Sequence, residues 1–491
     1  IGAIMPYTRY DSTVATLGGG ATLKTSVDWA KSNIATQASE QSYVALPSNG
    51  SYAEWTMNTT GSGVTMRFTM PDSSDGMGVK GSVDVYVNGT YAQTVNLNSY
   101  WMWQYFSGGS PSDTPGGTGC FAFDEVHFKL DKQLKEGDKI RIQSTGASGV
   151  EYGVDFLEIE NVPNPIEQPD NSVNVEDYGA IPDDGIDDLD AIRAAVRDAD
   201  ANNMDVYFPE GTFHLSGMWN IGCSNMKITG AGMWYTKLVA SGSNGSAGFS
   251  IQSGTDGTKI RELSAWSKRR NRSDGPEGKF INTAAGVNHI TVDNVWIEHF
   301  TCLYWGQNAS YNTFTNCRMK NTLADGINMT NGSNYNVISN CYARGTGDDS
   351  FALFSAADAG GSINTGNVYS NLTAVCVRRA AAFAIYGGED NTFKNLYAAD
   401  TLTYPGLTFN SYSFGFGSKM TYVDGITMDR CGGDYWTSVG SDDHINDYQN
   451  FGAIWVYSGD KELKNITMSN IDINDSTYFG IMIQTMYSGG P

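Results

Sequence analysis

Several things are scarce in this chain, and each scarcity excludes a class of protein. Only seven of 491 residues are cysteine, namely Cys120, Cys223, Cys302, Cys317, Cys341, Cys376 and Cys431, and no two form a CxxC pair. An odd, scattered set is neither a disulfide framework nor a zinc site, so these cysteines are expected as small buried apolar residues. Basic residues are outnumbered 31 to 53 by acidic ones, for a net charge of −22. That balance excludes nucleic acid and an anionic membrane surface as partners, and it argues against a polyanionic substrate. A neutral substrate fits better. No apolar run reaches the length of a membrane span. No signal peptide or starting Met is present, since the chain opens IGAIMPY. The expectation is a piece of a secreted, extracellular protein, excised from a larger multimodular chain. Neither a Ser–His–Asp arrangement nor a phosphate-binding glycine loop with its supporting context is found. Prolines number thirteen, and three of them fall in NVPNPIEQPDNS, residues 161–172.

What the chain has in quantity is glycine (57), tyrosine (27) and tryptophan (11), with frequent Asn, Thr and Ser. This is the composition of a β-rich protein with many turns. The proline-bearing stretch reads as a linker, 163–172, between two domains. Residues 1–162 alternate apolar and polar over short runs such as SYVALP, VTMRFTM, SVDVYVNG and KIRIQS, the pattern of a jelly-roll-like β-sandwich. Residues 173–491 open differently. Asp187 and Asp188 stand near a helix N-cap, and Leu189, Ile192, Ala195, Val196 and Ala199 follow at helical spacing before the strand–turn–strand VYFPEGTFHL.

A short pattern then recurs, an apolar or Thr residue leading to Asn and another apolar residue. It appears as TVDNV from 291, TFTNC from 313, VISNC from 337, VYSNL from 368, TFKNL from 392, TMDRC from 427 and TMSNI from 467. The steps are 22, 24, 31, 24, 35 and 40 residues, which suits coils of three short strands with loops inserted in some. The expected fold is all-β, a sandwich followed by a right-handed parallel β-helix. Stacked coils would align Asn294, Asn316, Asn340, Asn371, Asn395 and Asn470 in a ladder, with Arg430 as the exception. Cys317 and Cys341 would stack beside it in the core.

In that register the doublet of GTGDDSFAL gains meaning. Asp325 lies nine residues after Asn316, and Asp349 nine after Asn340. The two stack about 5 Å apart, with Asp348 beside them. Carboxyls so close retain a proton among them, which supplies an acid and a base at one pH. Glycoside hydrolysis needs that pair. A calcium site, and with it a polysaccharide lyase, is the rival reading. Residues flanking the cluster on neighbouring coils are candidates to hold substrate: Tyr304, Trp305 and His299 before it, Arg378, Arg379 and Tyr386 after it. Strand parity could turn Trp305 inward, and either arginine could serve as the base of a lyase. The Tyr- and Phe-rich loop 401–420 is expected as a wall of the cleft. Asp442, Asp443 and His444 read as a surface loop.

Four resemblances add to this. YDSTVATLGGGA, SYVALPSNGSYAEWTM and YGVDFLEIE resemble carbohydrate-binding-module jelly rolls, in which an early acid and an Asp of the last strand hold a structural calcium; the matching positions are Asp11 and Asp155. The order DYGA, DDGIDD, AIRAAV, VYFPEGTF resembles the N-terminal cap of β-helices of the pectate lyase and polygalacturonase superfamily. ADG followed by GDDSFAL resembles the polygalacturonase core, which implies Asp348 as general acid and Asp325 with Asp349 as the groups that activate water. The GHG and RIK motifs that engage galacturonate are missing, however. The opening IMPYTRYDS, the sandwich–linker–helix order and LADGINM…ARGTGDDSFALFS are closer to glycoside hydrolase family 87, the bacterial α-1,3-glucanases and mycodextranases. That resemblance implies endo-hydrolysis of α-1,3-glucan with inversion and no catalytic metal. The expected partner is the polysaccharide, and the expected state is a monomer. Nigeran, the mixed α-1,3/α-1,4-glucan, is the alternative substrate, followed by a polygalacturonase-like reaction.

Overall fold

The computed structural model describes all residues except 27–32, 107–110, 113–117, 121, 357–359, 402, 435–449 and 487–491. Asp442, Asp443 and His444 therefore lie outside the described residues. Two compact units emerge, one over Met5–Pro163 and the other over Asn164–Gly433 with Ile1–Ile4 and the residues from Asn450 on.

The first unit is a sandwich of two antiparallel sheets. Gly61–Thr69 and Tyr152–Glu160 are central to one, and Tyr52–Thr56, Lys139–Ser144 and Lys80–Val87 to the other. Alternation along these strands sends Trp55, Val64, Met66, Val83, Val85, Ile140, Ile142 and Leu157 into a shared core. The strand Tyr152–Glu160 is interrupted by a register shift between Val154 and Phe156. An extra residue in one strand re-aims its side chain, and here it is Asp155. That carboxylate is buried, ion-paired with Arg67 at 2.5 Å, and accepts the Ser39 N–H at 3.0 Å. Burial pushes its pKa up to about 6 against the pull of Arg67. At Asp155, one of the two positions expected to hold calcium, a guanidinium thus already meets the carboxylate. Among the described residues, no group of three metal-ligating side chains includes either aspartate.

The second unit is a parallel β-helix, its crossovers taking the right-handed sense that twisted strands favour. The helix Leu189–Ala201 closes its first coil, with Leu189, Ile192, Ala195, Val196 and Ala199 buried. Asp187 accepts the Leu189 N–H at 3.3 Å, and the buried Asp188 accepts N–H groups of Ile181 and His214 at 3.0 and 2.9 Å, tying the helix to the strand beneath it. Each later coil contributes strands to a long parallel sheet that bends at a corner, and one strand to a ten-stranded parallel sheet.

The corner is where the ladder sits. Asn294, Asn316, Asn340, Asn371 and Asn395 all adopt φ between 51° and 54°, a left-handed conformation that Asn tolerates better than most side chains. Their amides also bond from coil to coil, Asn340 to Asn316 at 2.7 Å and Asn395 to Asn371 at 2.6 Å. One coil differs from expectation. Tyr422 pairs with Thr392 and Ile426 with Leu396, so Gly425 (φ 81°) fills the ladder position. Arg430 stands at the next corner instead, its guanidinium on Asp400 at 2.6 Å. A second ladder runs inside. Asn312, Asn336, Asn367 and Asn391 are fully buried, and each accepts through Oδ1 a backbone N–H from the coil before. Cys317 and Cys341 are buried and free, as core residues.

Candidate active site

The three aspartates converge because two adjacent coils carry no insertion between their corners. Thr313–Thr315 pairs in register with Val337–Ser339, and Ile327–Thr330 with Phe351–Phe354. Asp325 and Asp349 precede these last strands by equal distances and stack. Asp348 is one residue earlier, where the Gly347–Asp348 backbone bonds to Ala324 O at 3.1 Å. One oxygen from each carboxyl lies within 4.8 Å of the others. Asp325 and Asp349 are buried, whereas the Asp348 side chain keeps 22% exposure.

Each carboxyl has its own partners. Asp325 accepts the Asn328 amide at 2.7 Å. Asp349 accepts the Ala381 N–H at 2.9 Å and the Tyr386 hydroxyl at 3.4 Å. Asp348 is ion-paired with Arg272 at 2.5 Å. Burial, reinforced by the charge of Asp348, pushes Asp325 up to about 8, although Asn328 and Arg272 pull the other way. Burial also holds Asp349 well above the usual carboxylate range, with Asp348 and Asp325 adding to the rise. Burial and mutual repulsion thus favour a proton shared within the cluster, as like charges at this spacing require.

Tyr386 is the predicted neighbour that the fold brings to the cluster. Its ring stacks on Phe414 at 4.9 Å and packs on Phe354 at 4.6 Å, so loop 401–420 does contribute an aromatic surface beside Asp349. Trp305 is half-buried on the outer face, the next residue after Tyr304, with Lys279 Nζ 5.1 Å from its ring centre. It is paired in register with Asn328, the partner of Asp325, and does not turn inward. Arg379 is half-buried on the coil after the doublet.

Three candidates are corrected. Tyr304 points into the β-helix, fully buried against Phe314 at 5.0 Å, because in this strand the even residue faces the core. His299 is a buried corner residue with φ 63°, in the row that continues through Asn321 and Gly345. Arg378 is buried, and its guanidinium donates to Thr322 O at 2.7 Å, which makes it a strut between coils. Two functional neighbours escaped prediction. Asn328 was visible as a polar residue between the apolar Ile327 and Met329 of its strand. Arg272 lies on a loop with no place in the repeat; its one signal is the run KRRNR (268–272) in so acidic a chain.

Stacked parallel coils that present a proton-holding carboxyl trio beside aromatic rings define a glycoside hydrolase of the β-helix type. Family models agree: residues 4–162 match α-1,3-glucanase catalytic domain D1, and residues 186–490 match domain D2. Among solved structures, the catalytic domain of a GH87 α-1,3-glucanase in complex with tetrasaccharides is 45% identical, with a TM-score of 0.88 over 99% of this chain and 86% of that one. The Agl-KA catalytic domain is 38% identical, with a TM-score of 0.90 over 99% and 87%. The catalytic unit of the Streptomyces thermodiastaticus enzyme shares the fold at 24% identity, with a TM-score of 0.84 over 99% and 84%. No curated protein matches the sequence. The chain belongs to glycoside hydrolase family 87, the α-1,3-glucanases.

Proposed function

We propose that this enzyme hydrolyses internal α-1,3-glucosidic linkages of α-1,3-glucan with inversion, and that Asp325, Asp348 and Asp349 are its catalytic groups. The observation that carries this reading is the meeting of three carboxyls from adjacent coils, two of them buried with their pKa values raised. Related catalytic domains have been solved with nigerose and with tetrasaccharides, in variants whose substituted aspartates are spaced 23 residues and then one apart. Asp325, Asp348 and Asp349 have the same spacing.

In the proposed reaction Asp348, the most open of the three, gives its proton to the glycosidic oxygen as the C1–O bond breaks. Water attacks C1 from the opposite face and passes a proton to the Asp325–Asp349 pair. The nearest oxygens are within 4.8 Å, tighter than the roughly 6.5–9.5 Å between a single acid and a single base in inverting enzymes. The base here is a pair, and the water sits against both members rather than midway between two acids. Tyr386 and Phe414 offer ring faces to the glucan. No metal is assigned to catalysis, since Arg272 already supplies the cation beside Asp348. Arg378, buried on a carbonyl, is in no position to act as the base of a lyase. One copy carries all three acids, so the working unit proposed is a monomer. An insoluble glucan is met outside the cell, and a secreted location is proposed with it.

The test is reducing-sugar release from α-1,3-glucan beside nigeran, dextran and polygalacturonate, with EDTA present, together with proton NMR of the first-formed anomer. Asp325→Asn, Asp348→Asn and Asp349→Asn are each expected to lose at least about 10²–10⁴-fold, the usual worth of general acid or base catalysis. The wild type should release β-anomer from α-1,3-glucan alone. An α-product, activity confined to polygalacturonate, or loss to EDTA would overturn the reading.

A further inference from the structure

The Asp348 ion pair is built, not incidental. Arg272 Nη1 donates to Asp348 Oδ2 at 2.5 Å, and its Nε donates to Asp274 Oδ1 at 2.8 Å. The loop that carries it is clamped: the Thr301 hydroxyl accepts the Ser273 N–H at 3.3 Å and donates to Ser273 O at 2.7 Å, while the Ser273 hydroxyl donates to Glu277 at 2.6 Å. Asp348 thus meets a fixed guanidinium on one side and two carboxyls on the other. The charged and titratable groups facing it are Arg272 and Asp274 from the loop, Asp325 from the preceding coil, Asp349 from its own, and Tyr386 from the next.

That arrangement matches one moment of the reaction. When Asp348 has given its proton to the leaving sugar, it is an anion, and the water proton rests on the Asp325–Asp349 pair. The Arg272 ion pair and the burial that raises Asp325 and Asp349 both favour this distribution. A turnover closes when a proton returns from the pair to Asp348, across carboxyl oxygens within 4.8 Å.

We propose that Arg272 is a positioning residue for this reaction: it orients the Asp348 carboxyl and stabilises the anion formed as Asp348 protonates the leaving oxygen. The proposal rests on Asp348 being the proton donor. A cation beside a carboxyl strengthens it as an acid by about 1–3 pH units. Losing Arg272 should therefore leave the anion formed on Asp348 without its counter-charge, so that the proton is delivered less readily.

The experiment compares two substrates: an α-1,3-linked glucose oligosaccharide, and the α-glycosyl fluoride of such an oligosaccharide, whose fluoride departs without needing a proton. Arg272→Gln should lose about 10–100-fold in kcat on the oligosaccharide and most of that loss should vanish on the fluoride. Arg272→Lys, which keeps the charge, should fall in between, and thermal melts check that both variants fold. Equal loss on both substrates overturns the role of Arg272 while Asp348 stands as the acid. Asp348→Asn separates the premise: recovery on the fluoride supports Asp348 as donor, and equal inactivity on both substrates sinks donor and inference together.

Discussion

Two carboxyls buried side by side cost stability that amides in the same places would not. Asp325 titrates near 3.8 when unfolded and at about 8 when folded. Between those values the folded state binds the extra proton, so this residue's contribution to stability falls as pH rises through that window. Asp349 is shifted in the same direction. Asp325→Asn and Asp349→Asn should therefore be inactive yet more stable than wild type at pH 7–8, by on the order of 1–3 kcal/mol. The gap should shrink as pH is lowered toward 4; thermal melts across pH 4–8 check this, and variants less stable than wild type at pH 8 would refute it. At this scale the acids were legible because register alone brings them together. Tyr304 and Trp305 were not resolved, since neighbouring aromatics on a strand differ only in parity and nothing local says which one faces in. Arg272 was beyond reach for another reason: it arrives from a loop, and a loop has no register.

Among the elements, the corners decide the coil. The outer asparagines tolerate a left-handed turn at the surface, but the inner ones bear more. Asn336 donates to Ala309 O at 2.9 Å and to Asn367 Oδ1 at 2.9 Å, and accepts the Asn312 N–H at 3.0 Å, all without water. Asn336→Ala would leave a buried N–H and a buried carbonyl unmet, at about 1–3 kcal/mol for each such group. Its melting temperature should drop by several degrees, and more than that of Asn316→Ala at the exposed corner. This inner ladder was present in the sequence as the first Asn of NTFTN, NVISN, NVYSN and NTFKN, four residues ahead of the outer one. The outer ladder was readable for five coils and then slipped. TMDRC imitates the motif five residues late, because Gly425 replaces Asn at a corner where glycine turns left-handed without a side chain.

At the scale of the β-helix unit, coils contact only their neighbours, and stability is handed along a line. The last strands are the least covered: Ile481 is 53% exposed and Ile483 78%, whereas Ile327, Phe351 and Phe383, on and beside the coils that carry the three aspartates, are fully buried. Amide hydrogen exchange should be fastest over Ile466–Thr485 and slowest through Thr313–Phe354, a gradient of several orders of magnitude. Uniform protection along the unit would contradict it.

The stack also limits what can be tuned. Asp325 and Asp349 are separated by one repeat of a backbone lattice, about 4.8 Å, and no side-chain substitution changes that figure by a few tenths of an ångström. A one-residue insertion would not widen the gap; it would turn an acid away. The spacing of the acid pair is therefore an inherited constant, and its chemistry is adjustable only from outside the lattice, through segments such as the Arg272 loop that lean on it without belonging to it.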